Sequence, residues 1–238
     1  MINSRQKVAN LLRSINLLQF VDRLIFVGNI LKNRKTNQLF LTEHPGFIYP
    51  PAHFAFDAYN HTNWQTYHEM GLKHSRLVSD LIREFAAEKE IKICEWGCGP
   101  ARVIRHLDEI GGIEKVELFG TDYNERSINW CSKNIKNVHF SKNNLEPPLT
   151  FEDAYFDCIY AISIFTHLSE KMHHAWVKEL SRILKPNGIL IFTTHGDHSA
   201  EKLLPAEKSK YDSGVLVVKN QVKEGNKLFA AYPPFCKK

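Results

Sequence analysis

From residue 91 onward, short apolar runs alternate with stretches in which apolar residues recur every three or four positions. The runs Ile91–Glu95, Val116–Thr121, Val138–Ser141, Asp157–Ser163 and Ile189–Thr194 read as strands. Between them, Ala101–Ile110, Glu125–Ile135 and a segment capped by Ser169 and running to Leu184 read as helices. Asp157–Ser163 is almost continuously apolar, as a strand covered on both faces requires. Lys185-Pro186-Asn187-Gly188 reads as a turn. Strict strand–helix alternation predicts an α/β fold, a doubly wound and mostly parallel sheet with right-handed crossovers. Beyond Gly196, Val215–Val218 and Leu228–Ala231, separated by Lys223-Glu224-Gly225-Asn226, predict a hairpin.

Upstream, Val8, Leu11, Leu12, Ile15, Leu18, Val21 and Ile25 share helical spacing within residues 5–32. The polar face of this helix mixes charge signs, which favours packing against the domain or a second subunit, as in a homodimer. The alternative is an interfacial helix resting on an anionic membrane surface. Residues 36–63, with Pro45, Gly46, Pro50, Pro51 and several aromatics, read as an ordered loop. Residues 65–88 read as an amphipathic helix with Met70, His74, Leu77, Val78, Leu81, Ile82 and Phe85 on one face. This divides the chain into an N-terminal helical and aromatic extension, 1–64, and a nucleotide-binding domain, 65–238.

Composition changes this picture little. The 238 residues carry a net charge of +5 and are 43% hydrophobic, ordinary for a globular chain. Cations are scattered without a dense basic run, so nothing points to a nucleic-acid partner. Five cysteines without a CxxC pair argue against a disulfide scaffold and against structural zinc, and the histidines lack metal-ligand spacing. The plain inference is a reducing, cytoplasmic setting with no metal site. No apolar run is long enough to span a membrane, and Arg13, Asp22 and Arg23 interrupt the N-terminal apolar stretch, against a cleaved signal peptide.

The most informative stretch is Ile91 to Arg102, where an apolar run ends in Glu95 and is followed by Gly97, Gly99 and Pro100. Glycines at the tip of a first strand let backbone approach a nucleotide. Asp122, at the end of the second strand, is placed to accept hydrogen bonds from ribose hydroxyls. A dinucleotide fingerprint needs glycine at position 102, which is Arg102. Glu95 is unfavourable beside a pyrophosphate but suits a cationic amino-acid group. S-adenosylmethionine, with an ammonium, a sulfonium and no phosphate, fits that set better than a nicotinamide dinucleotide.

The chain resembles the class I S-adenosylmethionine-dependent methyltransferases over roughly residues 91–195. Glu95-Trp96-Gly97-Cys98-Gly99-Pro100-Ala101 resembles their glycine motif, with Ala101 where a third glycine is frequent. The resemblance implies that Glu95, Gly97, Cys98 and Gly99 cradle the cofactor. It places Asp122 on the ribose, Tyr123 beside the adenine, and Asn143 or Asn144, with Leu145, at the adenine edge. Tyr160 to Leu168 resembles the fourth-strand exit that lines the methyl-transfer site, which implicates Ala161, Ser163 and Phe165. Lys185 to Gly188 resembles the turn before the fifth strand. By position alone, Trp64, Tyr67 and Gly71 would cover the methionine end. Members of the class usually finish with two more strands beside the fifth. The predicted hairpin either supplies these or is an insertion, and the reading leans towards a chain short of that ending.

The reaction so implied is transfer of a methyl group to a small-molecule or glycan- or lipid-linked acceptor. An oxygen nucleophile needs a general base, for which His167 is the first candidate and His195, taken as an acceptor-side residue with Phe165 and Tyr67, the second. The other histidines, including His173 and His174, read as surface residues. Cys98 fills the loop, although a helix N-terminus nearby would lower its pKa. The alternative function is a methyltransferase-fold scaffold that binds cofactor without turnover.

Overall fold

The computed structural model describes residues 18–85, 89–108, 110–195, 203, 205–215, 217–220 and 228–231. Five strands, β1 (Glu90–Trp96), β2 (Lys115–Asp122), β3 (His139–Lys142), β4 (Phe156–Ala161) and β5 (Leu184–Phe192), form one all-parallel sheet in the order β3-β2-β1-β4-β5. The doubly wound α/β reading holds. The order reverses between β1 and β4, so the carboxyl ends of these two strands border the crevice in which such sheets bind ligands.

Alternate residues of each strand serve the two faces of the sheet. Ile91 and Ile93 on β1 and Cys158 and Tyr160 on β4 join one core, covered by Val78 and Ile82 of helix α3 (Trp64–Phe85) and Cys131 of helix α4 (Glu125–Asn134). Cys94, Trp96, Ile159 and Ala161 join the other, covered by Trp176, Leu180 and Ile183 of helix α5 (Glu170–Ile183). Both helices begin where the sequence supplies a cap: Asn124 Oδ1 accepts from Ser127 N (3.3 Å) and Ser169 Oγ from Met172 N (3.4 Å). Arg182 ties α5 to the loop before β4. It donates to Glu179 (2.6 and 3.0 Å), Asp153 (2.6 Å) and the carbonyls of Leu149 and Phe151, while Glu179 accepts from Leu149 N at 2.7 Å.

Three expectations are corrected. Ala101–Ile110 is not an α-helix but a series of turns with a short 3-10 segment, Ile104–His106. Ala101 sits at φ 55°, outside the helical region, and Glu95 Oε2 takes the Ile104 N–H (3.1 Å) that a helical ladder would use. The Arg105 side chain then caps the carbonyls of Ala101 (2.6 Å) and Pro100 (3.0 Å). Second, Lys185 to Gly188 is a bulge within β5: Leu184 pairs with Phe156 and Ile189 with Cys158, with Asn187 at φ 64° between them. Third, residues 36–63 are not one loop. Helix α1 (Leu18–Glu43) continues through residue 43, and α2 (Ala52–Tyr59) follows. Proline at position 51, just before α2, suits a helix start.

The chain divides into two compact units, Met1–Met70 and Gly71–Lys238. In the first, α1 turns Phe26, Asn33, Asn37 and Phe40 inward. Asn37 donates to Thr62 O (2.7 Å) and accepts from Trp64 N (2.9 Å), Asn63 Nδ2 donates to Asn33 Oδ1 (3.2 Å), and Asn63 Oδ1 caps α3 through Thr66 N (2.8 Å). Phe40, Ala55, Trp64 and Tyr67 form the apolar core of this unit. Positions 8–15 of the predicted N-terminal stripe lie outside the described residues. Of the remainder, Val21 is half-buried and Ile25 exposed.

In the second unit, the predicted hairpin is present as β6 (Val217–Asn220) and β7 (Leu228–Ala231), paired antiparallel as a separate two-stranded sheet. Its β7 runs beside the 3-10 turn Phe165–His167. Among the described strands β5 is therefore an edge of the parallel sheet. A short helix, α6 (Pro205–Asp212), buries Tyr211 against Val217.

Gly71 gives a test of this packing. A Cβ there would lie 2.4 Å from the Arg102 carbonyl oxygen, so this glycine is held by a close helix–loop approach. Helix propensity alone favours Gly71→Ala by about 1 kcal/mol. Overpacking against backbone reverses the sign, and the variant is expected to lose about 1–2 kcal/mol in urea denaturation.

Candidate active site

The glycine turn after β1 is folded back onto the end of β2. Gly97 N and Cys98 N both donate to Thr121 O (2.8 and 2.9 Å), Gly99 N donates to Asp122 Oδ2 (2.8 Å), and Ala101 N donates to Cys98 O (2.9 Å). Pro100 has no N–H. Every backbone donor from Gly97 to Ala101 is thus engaged within the protein, and the following 3-10 segment is too short to present a helix N-terminus. A phosphate-binding turn needs the opposite, a nest of open N–H groups at the head of a helix. No backbone N–H of this turn is left open to a phosphate.

Gly97 and Gly99 both have positive φ, 78° and 51°, where glycine alone is unstrained. A Cβ on Gly97 would also lie 2.2 Å from Ile164 Cδ1. Glycine at 97 is therefore required by the approach of the β4 exit, and Ile164 fills that cradle. Gly120 is required similarly by Phe140 (2.8 Å) and Cys98 Sγ (3.1 Å). Cys98 is buried, and burial pushes its thiol pKa up, correcting the expectation of a lowered value.

Asp122 Oδ1 accepts from Asn124 N (2.7 Å) while Oδ2 holds Gly99 N. The Tyr123 backbone N–H also bonds this carboxylate, and since a carboxylate offers about four acceptor positions, about one is left for a ligand hydroxyl. Burial raises the Asp122 pKa, against the backbone N–H bonds that lower it. Beyond it, Tyr123 is exposed. Asn143 N donates to Asp122 O (3.0 Å) and its Nδ2 to Asn144 O (2.6 Å), which leaves Asn143 Oδ1 as a buried acceptor without a partner. Asn144 and Leu145 are exposed. An exposed aromatic ring, an exposed apolar side chain and a buried acceptor without a partner follow β2 and β3.

Glu95 is paired in register with Tyr160 of β4, and its Oε2 accepts from the Tyr160 hydroxyl (3.0 Å) as well as from Ile104 N. Burial raises its pKa to about 8, against the lowering effect of those two bonds. Burial thus favours the neutral acid over the carboxylate expected from the sequence.

At the β4 exit Ala161 is buried, and Ser163 stands at φ 64°, strained for a residue with a Cβ. Its N–H donates to Thr193 Oγ1 (2.7 Å), and Thr166 Oγ1 donates to its carbonyl (2.8 Å). Phe165 is buried against Trp96, Phe192 and His173 rather than lining open space. His167 closes the 3-10 turn, exposed, with its N–H on Ile164 O (2.9 Å). His195 follows β5 and is half-buried. Tyr67 is fully buried in the aromatic core of the N-terminal unit.

His173 is a residue the sequence reading placed at the surface. It is buried, and its Nε2 lies 2.6 Å from Phe165 O, so Nε2 carries the hydrogen and donates. Burial lowers its pKa. It fixes the turn that carries His167. The available signal was its position three residues before Trp176, on the apolar stripe of α5.

Residues 94–192 match the family model described as a methyltransferase domain. Over 134 residues, 56% of the chain, it is 31% identical to a malonyl-[acyl-carrier protein] O-methyltransferase of Bacillus anthracis, and covers 47% of that protein. Over 124 residues, 49% of the chain, it is 28% identical to a tRNA N(3)-methylcytidine methyltransferase of Schizosaccharomyces pombe, and covers 40% of it. The chain thus spans less than half the length of these two relatives. Among solved structures, a TehB-like SAM-dependent methyltransferase from Corynebacterium glutamicum matches 76% of this chain and 97% of its own at 19% identity, with a TM-score of 0.48.

The raised pKa of Glu95 sets a pH dependence. Its native value of about 8 exceeds the ordinary 4.5, so the folded state binds the extra proton between those limits. Its contribution to stability is complete below the lower value and is lost as pH rises to the upper. Glu95→Gln, whose amide oxygen can accept the same two bonds, is expected to flatten this fall. Thermal melts should be similar near the low limit and higher by a few degrees for the variant above the upper. With sheet order and glycine turn in hand, what residues 94–192 are similar to is a methyltransferase domain.

Proposed function

We propose that this chain transfers a methyl group from S-adenosylmethionine to an oxygen of a small-molecule or glycan- or lipid-linked acceptor. The observation that carries the cofactor side is the turn from Gly97 to Ala101, whose N–H groups are all engaged within the protein. Asp122 would take a ribose hydroxyl on its remaining acceptor position, Tyr123 would stack on the adenine, and Asn143 Oδ1 would accept from the adenine amino group. Bound there, the cofactor supplies an electrophilic methyl on a sulfonium. The rest of the chemistry is alignment. His167 takes the proton from the acceptor hydroxyl, held in place by the His173–Phe165 bond. Ser163 and the backbone of β7 border the same turn and would shape the acceptor side. Similarity to an O-methyltransferase supports the oxygen acceptor.

Calorimetric titration tests the cofactor side. S-adenosylmethionine and S-adenosylhomocysteine should bind and NAD should not. Asp122→Ala should abolish binding, and Tyr123→Ala, which removes only an exposed ring, should weaken it about tenfold or more. Binding of NAD in place of both would end this reading.

Turnover is measured as S-adenosylhomocysteine released with a panel of hydroxyl and carboxyl acceptors. His167→Ala should lose about two orders of magnitude or more in kcat with cofactor affinity unchanged. Unchanged turnover removes His167 from the mechanism. Cofactor binding with no turnover on any acceptor would favour the scaffold reading.

A further inference from the structure

Helix α1 carries apolar residues on two faces, with Phe26 and Phe40 among the inward ones. Its inward face is rich in asparagine, with Asn33 and Asn37 bonded to Thr62, Asn63 and Trp64. The face pointing away from that contact carries Leu24, Val27 and Leu31 at helical spacing, exposed at 56%, 45% and 66%. Ile25 and Ile30 flank them, also exposed. A row of this kind facing water is unfavourable unless something covers it.

Charge identifies the cover. Arg23, Lys32, Arg34 and Lys35 lie along and beside the stripe, all exposed. From residue 1 to the end of α1 at residue 43 the sequence holds seven cations and two acids, Asp22 and Glu43. The sign mixing that favoured a packed helix reduces to those two residues. A second copy docked on the same face would set these cations against their own counterparts, and a nucleic acid has no use for an exposed leucine stripe. Among the described helices none is long and apolar enough to cross a membrane.

We propose that α1 is a docking helix for an anionic lipid surface, lying in its plane with Leu24, Val27 and Leu31 in the headgroup boundary. Arg23, Lys32, Arg34 and Lys35 reach the lipid phosphates, their stems running along the apolar band. Each cation held near such a surface strengthens partitioning about fivefold, and binding weakens as salt screens it. The proposal is independent of the chemistry assigned to the second unit.

The test is sedimentation of the full chain with vesicles of phosphatidylcholine alone, and with roughly a third phosphatidylserine. Binding to the anionic vesicles is expected and little to the neutral ones. The double variant Leu24→Gln/Leu31→Gln, altered only at exposed positions, should bind about tenfold more weakly with an unchanged circular dichroism spectrum. Absence of binding to the anionic vesicles, or binding that the double variant retains, overturns the proposal. So does a dimer in light scattering that the same variant dissociates, which would make a second copy the occupant, or release from vesicles only in exchange for RNA.

Discussion

The carboxylate of Asp122 is the constraint on which the site rests. It stands at the end of β2, and one oxygen holds the glycine turn while the other holds the start of the segment leading to α4. The crevice at the carboxyl ends of the strands is shaped by that double hold. Thr121 completes it by taking two more N–H groups of the turn through its carbonyl. A parallel sheet brings the ends of β1 and β2 side by side, and the acid then converts adjacency into a fixed loop. With Asp122 holding one N–H of the turn, the Thr121 carbonyl two and the Cys98 carbonyl the fourth, no backbone N–H of the turn is left open to a phosphate.

Much of this was legible from residue types alone. The strand runs, the cap at Ser169, the glycine pair and the acid ending β2 are local signals, and each appears where the pattern put it. The failures share a cause. Ala101–Ile110 carries helical spacing, yet a buried acid on a neighbouring strand takes one of its N–H groups, and such competition is not encoded nearby in the chain. His173 reads as polar, and only the approach of the Phe165 carbonyl makes its burial affordable. In the bulge of β5, Asn187 and Gly188 carry true turn chemistry, but the strand resumes on the same partner. The protonation of Glu95 was likewise invisible, because it depends on what surrounds the strand end rather than on the acid itself.

The N-terminal unit shows a different limit of pattern reading. Amphipathicity tells which positions segregate but not which side is the core. Here the segregated asparagines are the side that packs, because Thr62, Asn63 and Trp64 present backbone and side-chain groups that amides satisfy well. Phe26 and Phe40 pack on that same side, while Leu24, Val27 and Leu31 on the other stay exposed.

The buried acid beside the glycine turn has an electrical consequence. Burial raises the Glu95 pKa, and a positive charge brought beside it would lower that value again. Arrival of a cation at this strand end would thereby be coupled to loss of a proton.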